Sequence, residues 1–236
     1  MSKKNVIMRR ELSSYFISPI AYIVCGLFLV FMGFMFFSTF FIAKRAELRQ
    51  FFGLLPVMFS FFIPALTMRI FSEEKRSGTI ETLITLPVTA EDIVIGKYLA
   101  SFICTVVMLL PTLFYVVTCY IFGTPDAGPI IGGYVGALLL AAGFCAVGIF
   151  ASSVTKNQLI AFIVAFAICI FLSLFSNFAI LLPAPVVSLI TFISAGSHFE
   201  SISRGIIDTR DILYFISLIA LFLSLAVRVV KNQTRG

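Results

Sequence analysis

Six long apolar runs constrain this chain more than any other feature of it. They cover residues 20–42, 51–68, 98–122, 130–154, 159–182 and 212–230, over half of the 236 residues. A helix needs about 20 apolar residues to cross about 30 Å of hydrocarbon. The runs are continuous blocks, without the apolar–polar alternation of a membrane barrel. The expected form is therefore the helix, which satisfies its backbone polar groups within its own segment. Composition agrees, because 60% of the residues are hydrophobic and only 12% charged, where a soluble domain carries about 25% charged residues. A soluble domain, a disordered chain and a disulfide scaffold do not fit. The 28 Phe and the absence of Trp suit a surface facing lipid, where Phe is exposed at no cost. The five cysteines lie inside apolar stretches with no C-x-x-C pair and read as small hydrophobes.

Charge sets an expected orientation. With the N-terminus inside, five of the 17 Lys and Arg (Lys44, Arg45, Arg49, Arg204 and Arg210) fall outside, leaving 12 inside. The positive-inside rule then places both termini in the cytoplasm. The net charge of +6 is read as facing the membrane surface rather than nucleic acid. No cleavable signal peptide is expected, since the first apolar run is too long and has no small-residue cleavage pattern.

The polar pieces between the runs carry more information. In 1–19, apolar residues alternate with Lys4, Arg9, Arg10 and Glu11, ending at Ser18-Pro19. This predicts a short helix in the inner interface, with Arg9, Arg10 and Tyr15 as interface residues. The segment 69–97 reads RIFSEEKRSGTIETLITLPVTAEDIVIGK. Ser72 before Glu73 and Glu74 predicts a helix start, with acids at the positive end of the dipole. Ile80, Leu83, Ile84 and Leu86 recur near helical spacing until Pro87. Thr89-x-x-Asp92 is a capping box ahead of the next apolar run. The first of these helices is either a solvated loop or a docking element for a soluble partner, since an apolar stripe outside the hydrocarbon needs cover. Gly132-x-x-x-Gly136 and Ala137-x-x-x-Ala141 permit close helix approach, more readily within this chain than between chains. The segment 183–211 is expected to form short interfacial helices on the outer face, with His198 a surface residue rather than a metal ligand.

Enzyme signatures are missing. Gly96-Lys97 is followed by Tyr98 and lacks the upstream glycine of a phosphate-binding loop. There is no G-x-S-x-G or H-E-x-x-H, and no channel filter or Arg-rich sensor helix. The runs carry almost no ionisable residue, which disfavours an internal proton relay. No catalytic or metal-binding residues are assigned. What remains is a bundle that moves something without an energy source of its own.

The chain resembles the ABC-2 type transporter permeases. Its match is strongest at Phe71–Pro87, FSEEKRSGTIETLITLP, which is similar to the family pattern of Glu, then Gly-Thr-x-Glu-x-Leu, then Pro. RRELSSYFISPIAYI, GPIIGGYVG, ASSVTKNQLIAF and HFESISRGIIDTRDILYF also resemble family segments, in order along nearly the whole chain. Among such permeases it looks closest to the gliding-motility-associated and nitrous-oxide-reductase-maturation type. The resemblance implies an all-α membrane protein forming one domain over 1–236. It would have six transmembrane helices, an N-terminal interfacial helix and a cytoplasmic coupling helix within Glu73–Leu86. It implies a bacterial inner-membrane location and a homo- or heterodimer of permease chains. The partner would be a separate cytoplasmic ATPase that binds ATP and Mg, with no cofactor in this chain. An additional periplasmic or membrane subunit is a further possible partner. The ATPase-docking residues carried over are Glu73, Glu74, Gly78, Thr79, Glu81 and Leu83. Of these, Gly78 would permit close approach, Thr79 would cap and Glu81 would pair with a basic group on the ATPase. Two functions stay open: ATP-driven movement of a substrate, with export the expected direction, or transmission of ATP-driven motion to a periplasmic partner. Phe-rich spans suit an apolar cargo, and lipid-facing Phe explains them equally well.

Overall fold

The computed structural model describes residues 3–43, 47–79, 88–175, 190–206 and 208–233. The described elements are helical. They are α1 (Lys3–Ile17), α2 (Pro19–Ala43), α3 (Arg49–Thr67), α4 (Arg69–Ser77), α5 (Ala90–Leu109), α6 (Leu113–Phe122), α7 (Ala127–Val154), α8 (Gln158–Leu174), α9 (Ala195–Ser203) and α10 (Thr209–Gln233), with a 3-10 turn at Leu110–Thr112 joining α5 to α6. Among the described residues, five helical stretches are long and apolar enough to cross a membrane: Pro19–Ile42, Arg49–Ser77, Ala90–Phe122, Ala127–Val154 and Thr209–Gln233. Helix α8 is apolar but shorter, and residues 176–189 lie outside the described part.

Helix α7 is the axis of the bundle. It is apolar all round, as a helix enclosed by others must be, and most of its residues are buried. Its small residues admit the neighbours. A Cβ on Gly132 would overlap the Ile202 carbonyl, and one on Gly136 would lie 3.1 Å from the Phe199 ring. These two glycines therefore seat α9, within the same chain. Gly133 receives the ring of Phe52 from α3, and Gly148 receives Thr67 from the far end of α3.

Phenylalanine does two jobs. Phe31, Phe34, Phe41 and Phe114 are exposed on the outer helix faces, while Phe28, Phe59, Phe71, Phe144, Phe199 and Phe215 are fully buried. A lipid-facing role is thus ruled out for the buried part of the set. Ring pairs such as Phe36 on Tyr115 (4.7 Å, stacked) and Phe28 on Phe62 (5.4 Å, edge-on) knit α2 to its neighbours. His198 also departs from expectation. Its side chain is only 12% exposed, because the ring stacks on Tyr214 at 4.2 Å. Nδ1 lies 2.6 Å from Asp211 and Nε2 3.0 Å from the Phe192 carbonyl, so it ties α9 to the start of α10.

The capping box forms as its spacing requires. Asp92 N–H donates to the Thr89 hydroxyl at 3.2 Å, and Thr89 N–H returns to the Asp92 carboxylate at 3.4 Å. The cap satisfies two donors at the start of α5. Thr89→Ala is expected to lower stability by about 1 kcal/mol, and Thr89→Ser by a few tenths at most. Thermal unfolding of the detergent-solubilised variants checks this; equal losses for Ala and Ser would assign the effect to packing instead.

Candidate functional site

At one end of the bundle, α1, α4 and α5 converge on a buried lysine. Helix α1 can lie close against α5 because position 96 is glycine: a Cβ there would sit 2.9 Å from Ile7 and 3.0 Å from the Lys4 carbonyl. One turn beyond Ile7 on α1 comes Glu11, and next to Gly96 on α5 comes Lys97. The Lys97 side chain is fully buried. Its Nζ lies 2.9 Å from Glu74 Oε1 and 3.1 Å from Glu11 Oε1, and donates to the Ile70 carbonyl at 3.0 Å. An ammonium has three N–H donors, and here it meets three acceptors. It also stands 5.1 Å over the Phe71 ring. A buried ammonium persists only with such partners.

Glu74 is shared. The same Oε1 accepts from Arg10 of α1 at 3.1 Å, so one carboxylate joins three helices. Arg69 forms a two-pronged pair with Glu73 one turn on (2.9 and 3.0 Å) and donates to the Ser18 hydroxyl at 3.0 Å. That last bond ties α4 to the α1–α2 corner. Tyr15 donates to the Leu66 carbonyl at 3.0 Å. Burial pushes its phenol well above the ordinary range, so it stays a donor.

Helices α3 and α4 meet at Met68. The expectation of a helix starting at Ser72 is corrected: α4 begins at Arg69, and Glu73 and Glu74 lie in its middle. The donors that a new helix leaves unpaired are met by Ser152 of α7. Its hydroxyl accepts from Phe71 N–H (3.0 Å) and Ser72 N–H (3.2 Å) and donates to the Met68 carbonyl (3.0 Å). Ser72 turns its own hydroxyl back to Met68, and Lys75 donates to the Ser153 carbonyl. The end of α7 thus pegs α4 in place. The acids serve ion pairs and do not cap the helix.

The candidate residues separate accordingly. Glu74 points into the junction, with 13% of its side chain exposed, while Glu73 is 50% exposed. Gly78 ends α4 at φ +75°, the left-handed region where glycine is favoured, and has open space around it. Thr79 lies beside it, its hydroxyl 2.9 Å from that of Ser77 and 3.4 Å from the Glu74 carbonyl, at the C-terminal end of the helix. Glu81 and Leu83 lie outside the described residues. Of the interface residues, Arg9 is exposed, and Arg10 and Tyr15 are engaged as above. Reading the sequence alone missed Glu11, Lys97 and Ser152. Lys97 did carry a signal, as a lone charge ahead of an apolar run; its partners, 86 and 23 positions away, gave none.

A bundle of several helices long and apolar enough to cross a membrane, with a buried charged junction at one end, is a multi-pass membrane protein. The sequence pattern of the ABC-2 family transporter proteins matches residues 7–231, and the chain belongs to that family. It is a permease component of an ABC transporter, which works with a partner ATPase subunit. No curated protein gives a significant match.

Proposed function

We propose that α4 and the segment after it form the element on which the cytoplasmic ATPase docks, and that the Lys97 junction passes the motion of α4 to the rest of the permease. The observation that supports this is the shared Glu74 carboxylate. With Arg10 of α1 and Lys97 of α5 both on Oε1, α4 cannot shift without shifting α1 and α5 or breaking a buried ion pair. ATP acts by its different affinity for two arrangements of the ATPase pair, and α4 carries that difference inward. In this reading the Lys97 end and both termini are cytoplasmic and α8 completes a set of six spans. Two permease chains pair in a bacterial inner membrane, and the cycle exports a substrate. ATP and Mg are held by the partner, and this chain performs no catalysis.

Docking is tested by purifying the chain in mild detergent from its native membrane. A stoichiometric ATPase is expected to accompany the wild type. Glu81→Lys and Arg76→Glu, which reverse charges in the docking segment, are expected to reduce it tenfold or more, the scale of losing a desolvated charge pair, about 2–5 kcal/mol. Retention of the ATPase by both folded variants would remove the docking role.

A further inference from the structure

His198 meets more acceptors than a neutral imidazole can serve. Its Nδ1 faces Asp211 Oδ1 at 2.6 Å and its Nε2 faces the Phe192 carbonyl at 3.0 Å. A neutral ring has one N–H and one lone pair, whereas the imidazolium has two N–H groups. A neutral ring would therefore turn its lone pair on one of these oxygens. The surroundings favour the charged form in three further ways. Asp211 is 9% exposed and its Oδ2 has no hydrogen-bond partner, so the carboxylate depends on His198 as its counter-charge. Asp211 stands in the first turn of α10, the positive end of the helix dipole, which keeps the proton off the carboxylate. The ring also stacks on Tyr214 at 4.2 Å, and an aromatic face attracts a cation. No other charge competes for the ring among the described residues. Helices α7 and α8 carry no charged residue, and α3 carries only Arg49. Arg49 lines a cavity with Glu47, Asp126 and the Glu200–Arg204 pair, in a wall that His198 does not share. Beside Asp211, Asp208 accepts from Arg210 N–H at 3.0 Å. Lys44 and Arg45 lie outside the described residues.

We propose that His198 is a proton-operated latch: as imidazolium it fastens α9 and residues 190–193 to the start of α10, and on losing a proton it releases them. Three consecutive carbonyls of that short segment are gathered by side chains of α9 and α10. Ser197 donates to the Thr191 carbonyl at 2.6 Å, His198 to that of Phe192, and Tyr214 to that of Ile193 at 2.5 Å. Of the three donors, histidine is the one whose charge changes in the physiological range. Without its second proton, His198 opposes a lone pair to an oxygen and leaves the Asp211 carboxylate buried without a counter-charge. The latched form thus binds one proton more than the released form. Latching is favoured in acid and lost as the pH rises. Helix α9 has a second role that the latch controls. Through Gly196, Phe199 and Ser203 it forms one wall of the cavity, whose volume is about 620 Å³, so the firmness of that wall follows the proton. In the orientation proposed above the latch senses the outer solution; that side rests on the permease reading, and the latch itself does not.

His198 is the only histidine in the chain, which provides the test. Protein labelled on the histidine ring nitrogens, purified without a histidine tag and placed in nanodiscs, gives one pair of ring signals by magnetic resonance. These signals are followed from about pH 5 to above about pH 8, the range that brackets histidine charge changes. Hydrogen exchange of the α9 amides is measured on the same samples and corrected for its intrinsic base dependence. Loss of the second ring proton is expected to coincide with a rise in α9 exchange of about tenfold, the worth of one charge-assisted hydrogen bond. Asp211→Asn removes the carboxylate charge, so its ring should lose the second proton at lower pH than the wild type. His198→Gln cannot take up the charge, and its α9 exchange should be fast and independent of pH after correction. Exchange in α9 that does not follow the wild-type ring signals, or that varies with pH equally in His198→Gln, overturns the latch. Identical ring titrations in the wild type and Asp211→Asn overturn the ion pair that drives it. The wild-type comparison needs neither a variant nor an ATPase, so its failure is distinct from misfolding and from failure of the docking experiment.

Discussion

Lys97→Met is expected to destabilise the protein by about 3–5 kcal/mol, the cost of removing one partner from a buried ion pair. Methionine fills a similar volume, so the loss is electrostatic. It leaves the Glu11 and Glu74 carboxylates together, at 12% and 13% exposure, with only the half-exposed Arg10 to neutralise them. Thermal unfolding in detergent reads the loss directly. The companion variant carries Lys97→Met with Glu11→Leu and Glu74→Leu. Replacing a whole buried ionic cluster with apolar residues is often neutral or stabilising, and Arg10, 58% exposed, can turn to solvent. Stability is therefore expected to return in the triple variant. Coupling is not, because the shared carboxylate that ties α4 to α1 and α5 is gone. Basal ATPase of the reconstituted complex with its response to the permease lost would separate the two roles. A triple variant with full ATP-driven activity would make the junction purely structural, and a Lys97→Met protein as stable as wild type would show that the charge is not held by these partners.

Local features were legible in the sequence, and remote ones were not. The capping box at Thr89 and Asp92 was readable because both partners lie within one turn. The helical character of the long apolar stretches was readable because a membrane core leaves the backbone few alternatives. The start of α4 was misread because Ser72 and its acids have the local form of a helix start. What actually sets the boundary is Ser152, 80 positions away, which supplies one hydroxyl to two N–H groups and a carbonyl. The pair Gly96-Lys97 posed the same problem. In sequence it is a failed phosphate loop; in the fold, Gly96 admits α1 and Lys97 locks it. His198 shows the limit for lone polar residues: its burial comes from a ring stack with Tyr214 and two acceptors on either side, and none of these announces itself as a pattern.

The second large effect is expected at Gly148. A Cβ there would overlap the Thr67 hydroxyl and lie 2.8 Å from Thr67 Cβ, so rotating the threonine does not clear the clash. Thr67 is fully buried, and its hydroxyl is held by the Ile63 carbonyl at 2.9 Å. Gly148→Ala must therefore push α3 from α7, and overpacking of this kind costs about 1–3 kcal/mol. Ser152 lies one turn further along α7, so the same displacement pulls its hydroxyl from Met68, Phe71 and Ser72 and exposes the α3–α4 break. The total is expected at the upper end of that range or beyond it. Gly26→Ala is the control. It makes the same chemical change inside α2, where a Cβ meets nothing within 4 Å, and alanine in a helix interior is favoured over glycine by about 0.5–1 kcal/mol. Opposite signs for the two substitutions in thermal unfolding are the expected result. Thr67→Ala, which removes the overlapping hydroxyl, should recover part of the Gly148→Ala loss. A Gly148→Ala protein as stable as the Gly26→Ala control would mean that α3 and α7 are not in contact there, and that the peg between α7 and α4 is looser than the three hydrogen bonds of Ser152 imply.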